Sequence, residues 1–225
     1  MNYRDIYHKR HEAQGETYKD SFRNQSKMMA NELLLNSYDR VDVRVNFTDN
    51  YPCIVRDIDG FRERKFNFPP ETKTSLGDYI EHDNFIYLVM KSNTDDIYPR
   101  AETLLCNYDF PIKVEEKKTL VGKLDNGRPD YLIESISITK PCVLTTKLYS
   151  TADNSSVPLP DGSAVIYLPY SQADRPPQVN FKITHEHAQY KITDWSYDNV
   201  INYKTANEKK GYIRIHLQRE ANTNV

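Results

Sequence analysis

At Tyr38 the hydrophobic pattern of this 225-residue chain changes period. Upstream, residues 1–37 are charged and lack proline, and Phe22, Met29 and Leu33 recur at helical spacings. Downstream, Val41, Val43 and Val45 alternate with Asp42, Arg44 and Asn46, as in a strand with one buried face. From there to Leu217, short apolar runs are separated by turn-forming Gly, Pro, Asn and Asp. A chain punctuated in this way reads as mainly β, with an N-terminal helical arm followed by two small β-barrel or sandwich units.

In the arm, residues 1–37, two helices are expected, at about 2–12 and 17–35, interrupted at Gly15 and closed by Asn36-Ser37. Such an arm either packs on its own domain or reaches a neighbouring subunit. The first β unit is placed at 38–112. Within it, Asp83-Asn84 forms a tight turn between Tyr79-Ile80 and the apolar run Phe85 to Met90, which is a hairpin. Residues 113–130 are charged and carry Asn126-Gly127, and read as a linker or hairpin. The second unit, 131–225, shows strands near 131–138, 141–149, 164–168, 178–183, 189–194 and 211–218.

Composition narrows the function. Hydrophobic residues make up 38% of the chain and mean hydropathy is −0.75. That is polar for one compact globule, and suits small cores with large surfaces given to partners. The 17 tyrosines fit half-exposed strands and interfaces. A net charge of −2, with no Lys/Arg block, argues against a general nucleic-acid binder. Cys53, Cys106 and Cys142 are far apart and form no CxxC pair, so neither a disulfide framework nor a zinc site is expected. No apolar run reaches membrane-spanning length, and the first residues lack the apolar core of a signal peptide, so folding in cytoplasm is expected.

Few residues offer chemistry. His185-Glu186-His187 would set two imidazoles on one strand face, but a third metal ligand is missing. Asp57-Ile58-Asp59 and Thr94-Asp95-Asp96 lack the ligand steps of a calcium loop and read as hairpin tips. Asp153 and Asp161 near Ser155 and Ser163 are loop composition rather than a triad, and there is neither a nucleophile elbow nor a phosphate loop. Trp195, the sole tryptophan, is either a core filler or a partner anchor. The expectation is therefore a non-enzymatic protein with no catalytic, cofactor-binding or metal-binding residues and no cofactor.

One run of segments goes further. Ser75-Leu76-Gly77-Asp78-Tyr79-Ile80 is followed by Phe85-Ile86-Tyr87-Leu88-Val89, then by Leu105-Cys106-Asn107-Tyr108. Later come Phe181-Lys182-Ile183, Tyr190-Lys191-Ile192-Thr193-Asp194 and a glycine-led final strand, Gly211 to Leu217. In this order, over about residues 3–218, the chain resembles structural proteins at the neck of tailed phages of Gram-positive hosts. The resemblance implies a head-closure or head–tail connector protein, forming a homo-oligomeric ring (a dodecamer or hexamer) below the portal. Its partners would be its own copies, the portal or adaptor protein, and tail proteins. DNA would pass through without sequence-specific binding, and no membrane is involved. The location implied is the virion neck, after assembly in the host cytoplasm, with an acidic tip at Asp57–Asp59 or Thr94–Asp96 expected to face the lumen. A tail-completion, collar or baseplate protein is the alternative, and a cell-wall hydrolase a further one.

Overall fold

A computed structural model describes Arg4 and residues 17–59, 62–93, 95–123, 128–149, 156–172, 174, 177–203 and 208–220. Apart from Arg4, the helix expected at 2–12 lies outside the described residues, as do Thr94, Asn126-Gly127, Asp153 and Ser155. The chain is mainly β with one described N-terminal helix, and divides into two units, Met1–Leu105 and Cys106–Val225.

In the first unit, α1 (Tyr18–Leu35) starts where Thr17, in extended conformation, accepts the Asp20 N–H on its hydroxyl. It ends at Asn36, whose N–H donates to the Glu32 carbonyl at 3.0 Å. The helix docks on its own unit through Ala30 and Leu34, both buried. Lys27 pairs with Glu71 at 2.8 Å and Arg23 pairs with Asp96.

Six strands follow: β1 (Arg40–Val45), β2 (Asp49–Asp59), β3 (Glu63–Asn67), β4 (Tyr79–His82), β5 (Phe85–Asn93) and β6 (Arg100–Leu105). They close into a barrel in the order β1-β2-β3-β6-β5-β4, with β4 returning to β1 at Val45 and Ile80. Closure leaves no free sheet edge. The interior holds Val43, Val45, Cys53, Phe66, Phe68, Ile80, Tyr87, Val89 and Ala101. The β4–β5 turn is Asp83-Asn84 with φ of 52° and 64°, the left-handed pair that a two-residue hairpin needs and that Asp and Asn tolerate. The Gly77-Asp78 corner is also explained. Gly77 sits at φ 81°, and the buried Asp78 carboxylate accepts Ser75 N–H at 2.7 Å and Asn46 Nδ2–H at 3.0 Å. That carboxylate thereby ties the β1–β2 turn to the start of β4.

The second unit begins with β7 (Tyr108–Lys123) and β8 (Pro129–Thr145). Residues 108–112, grouped above with the first β unit, lie in β7, and most of the 113–130 stretch belongs to these two strands. After the short pair β9 (Lys147–Tyr149) and β10 (Ser156–Pro158) come β11 (Ser163–Pro169), β12 (Lys182–His185), β13 (Ala188–Tyr203) and β14 (Glu208–Arg219). The main sheet runs β12-β13-β14-β11-β8-β7. It rolls around a core fed by every one of these strands, including Phe110, Leu144, Ile166, Ile183, Ile192 and Ile215. Its two outer strands meet through side chains, Tyr108 on His185 (centroids 5.6 Å apart) and β7's Phe110 on Phe181, just ahead of β12 (6.5 Å). This is a barrel-like unit. Pro141 is tolerated inside β8 because β11 joins that strand only from Val143 to Thr145, while at 141 the register partner is Asp109 of β7.

All three cysteines are free thiols. Burial, with a smaller contribution from Asp42, pushes Cys53 up to about 12, and burial with Asp109 does the same to Cys106. Burial likewise raises Cys142 well above its ordinary value.

Candidate functional site

The paired histidines do not share a strand face. β12 ends at His185, and Glu186-His187 form a two-residue turn with φ of 45° and 66°, which rotates His187 away. The His185 ring is instead packed on Tyr108. Asp57 lies where the β2–β3 register shifts, and its carboxylate accepts Arg64 Nε–H at 2.9 Å. Asp95 accepts the N–H groups of Ile97 (2.8 Å) and Tyr98 (3.4 Å), which hold its carboxyl below the usual range. Among the described residues, no group of three or more His, Cys, Asp and Glu is placed to hold a metal ion. No described helix is long and apolar enough to cross a membrane.

Trp195 packs against the second core, and its Nε1–H donates to the Pro177 carbonyl at 2.8 Å, pinning the segment between β11 and β12. Beside it, Tyr197 touches both Trp195 (5.5 Å) and Tyr170 (5.8 Å, rings at 89°). These tyrosines wall a cavity of about 320 Å³ that is also lined by Asp174, Val200, Asn202 and Lys209. Asn202 and Lys209 are register partners on the β13–β14 hairpin. Asp174 is pulled into the protein by Lys140, at 2.6 Å. Sequence reasoning missed this cluster. Tyr170 and Tyr197 are far apart in the chain, and a register shift between Ser196 and Asn199 removes any alternation that would link them.

The more prominent features are two exposed apolar surfaces. On α1, Tyr18 is 89% exposed, Phe22 64%, Met29 58% and Leu33 68%. At 100° per residue these four fall within about 60° of arc, a single stripe. Phe22, Met29 and Leu33, the helical pattern visible in the sequence, thus face solvent, while Ala30 and Leu34 dock. In the second unit, β7 and β8 stay paired out to Lys123 and Pro129, well past the segment that β11 covers. This two-stranded arm exposes Leu120, Val121, Tyr131, Leu132 and Ile138. Leu120 and Tyr131 are opposite each other in register and share one face. Leu132 and Ile138, an even number of residues apart, share the other. Ribbons of two strands are marginal alone, and large exposed apolar groups mark contact surfaces.

Comparison with known proteins places the second unit. No curated protein matches the chain. Among solved structures, MrkH, described as a novel c-di-GMP dependence transcription regulatory factor, is 13% identical and aligns over 89% of this chain and 84% of its own. Its TM-score is 0.21, at which neither fold nor ligand transfers. The family described as the YomX C-terminal domain matches residues 108–218, from β7 into β14. YomX is a phage-encoded protein of Bacillus, so the second unit is similar to a domain of a phage protein.

Proposed function

We propose that this chain is a structural subunit of the tailed-phage neck, a head-closure or connector protein that acts by shape and contact rather than by catalysis. The observation that carries the reading is the match of residues 108–218 to a domain of a phage-encoded protein. The order of segments from Gly77-Asp78 to the Gly211-led strand supports it. So do the apolar surfaces left open on both units, since a ring subunit must offer different, complementary faces to its two neighbours. The near-neutral charge suits a channel through which DNA slides, because each phosphate contact would add affinity. Of the acidic turns, Asp57 is paired with Arg64 and Asp96 with Arg23, while Asp95 is exposed, its carboxyl held below the usual range by two backbone N–H groups, and is able to face passing DNA. Gold labelling of a C-terminal tag in intact particles tests the assignment. Label at the head–tail junction is expected, and label at the tail tip would replace this reading with a baseplate role.

One observation favours a second reading. The Tyr170–Tyr197–Trp195 cluster with Asn202 and Lys209 at its rim is the kind of aromatic-walled hollow that binds sugars, as a collar or baseplate protein contacting the host surface would need. Titration with soluble cell-wall glycans, followed by Trp195 fluorescence, separates the two. Saturable quenching supports host contact.

A further inference from the structure

We infer that α1 is a self-pairing surface: two copies of this chain meet through their α1 stripes, side by side and antiparallel, about a two-fold axis that passes between Gln25 and Ser26. The pairing concerns the free chain and goes beyond the neck reading, since a contact of this kind joins two copies and cannot propagate round a polar ring.

The stripe is fixed outward. Ala30 and Leu34 seat the helix on its own unit, and the Arg23–Asp96 and Lys27–Glu71 pairs hold its rotation. Tyr18, Phe22, Met29 and Leu33 are thereby left more than half exposed along one side.

These four residues supply both sides of the contact. A two-fold interface has to be complementary to itself. Tyr18 and Leu33 are equidistant from the point between Gln25 and Ser26, and so are Phe22 and Met29. Reversing one stripe on the other sets each Tyr18 against Leu33 of the second copy, and each Phe22 against Met29. Every contact then joins a rigid ring to a more flexible chain, and a Met sulfur beside a ring adds to the gain from burial. The eight side chains bring together on the order of 1,000 Å² of surface, which is what a specific interface needs.

Charge permits the same arrangement. Gln25 and Ser26, at the axis, are neutral. Lys19 and Glu32 are the charged residues nearest the stripe, about 70° to either side of its midline. In the antiparallel pair the two Lys19 lie about 20 Å apart along the helices, and so do the two Glu32, so like charges do not meet. The antiparallel direction also opposes the two helix dipoles, which a parallel pair would align.

The test uses the full chain carrying Gln25→Cys, at an exposed position. With helix axes roughly 8–10 Å apart, the two Gln25 Cα atoms lie about 6 Å from each other, within the span of a disulfide. Lys19→Cys, far from its counterpart, is the control, and the unsubstituted protein, whose thiols are shielded, is the blank. The expected result under mild oxidation is a covalent dimer from Gln25→Cys alone. Its absence, or an equal yield from Lys19→Cys, would overturn the inference. Sedimentation equilibrium of the unsubstituted protein at micromolar concentration is expected to show a dimer. Phe22→Glu, also at an exposed position, is expected to keep the monomer's melting temperature and to weaken the dimer at least tenfold. Unchanged dimerisation of that variant would overturn the inference. So would an unsubstituted monomer, which would leave the stripe to residues 1–16 or to a different protein. A cyclic oligomer without the Gln25→Cys cross-link would reject the pairing and leave the neck reading standing.

Discussion

Asn107 grips both sides of one residue across the sheet. The Leu144 N–H donates to Asn107 Oδ1 at 2.8 Å, and Asn107 Nδ2–H donates to the Leu144 carbonyl at 2.9 Å. With its own N–H on the Cys142 carbonyl at 3.0 Å, Asn107 extends the β7–β8 ladder past Tyr108 by side chain instead of backbone. Asn107→Ala should destabilise the protein by roughly 1–3 kcal/mol, since it orphans a donor and an acceptor next to the core. Urea unfolding measures this. Asn107→Asp should also destabilise, because a carboxylate set against the Leu144 carbonyl is repulsive.

Gly211 has φ of 146°, and a Cβ added there would lie 2.0 Å from the Asn199 carbonyl oxygen, beside the register shift of β13. Gly211→Ala should cost roughly 2–4 kcal/mol, because backbone has to move and no side chain can yield instead. Gly122 has open space around it, so Gly122→Ala in the arm should be neutral to slightly stabilising. Parallel thermal melts of the two variants check the contrast.

Trp195→Phe keeps a ring against the second core but loses the bond to the Pro177 carbonyl. The expected cost is about 1–2 kcal/mol. Amide exchange should quicken in residues 177–183, which that bond restrains, and stay unchanged in the first barrel. Exchange mass spectrometry reads both.

His82 stands edge-on to Phe66, with only 9% of its side chain exposed. Burial lowers its pKa below the ordinary 6.5, outweighing the opposite pull of Asp83, and Arg64 lowers it further. The unfolded chain therefore binds a proton more readily than the folded one. The stability contributed by neutral His82 is present above about pH 6.5 and is lost as pH falls through the folded value. The denaturation midpoint should drop between pH 7.5 and pH 5, and less steeply in His82→Gln.

Where local chemistry decides the structure, the sequence was readable. Asp83-Asn84 names its hairpin because few residue pairs adopt two successive positive φ values. Asn36-Ser37 closes the helix expected at 17–35, and Asn36 N–H does so on the Glu32 carbonyl. The arm was harder to read. Beyond the segment that β11 joins, β7 pairs only with β8, so no packed layer forces an alternation on residues 113–123 and they look like a charged linker. β13 was read only to 194 because two register shifts, at Ile192/Asp194 and Ser196/Asn199, break its period. For α1, apolar spacing announced a helix but not its docked side, which Ala30, Leu34 and two ion pairs determine. The Tyr170–Tyr197 cavity depends on strands brought together late in the chain, and no linear spacing encodes it.

The shielded cysteines have a consequence for life outside a cell. A thiol held protonated supplies almost no thiolate, and thiolate is the species that oxidants and disulfides attack. If the neck reading holds, the protein would pass from a reducing interior into air-exposed medium. Its three protonated thiols would make that passage without joining into disulfides.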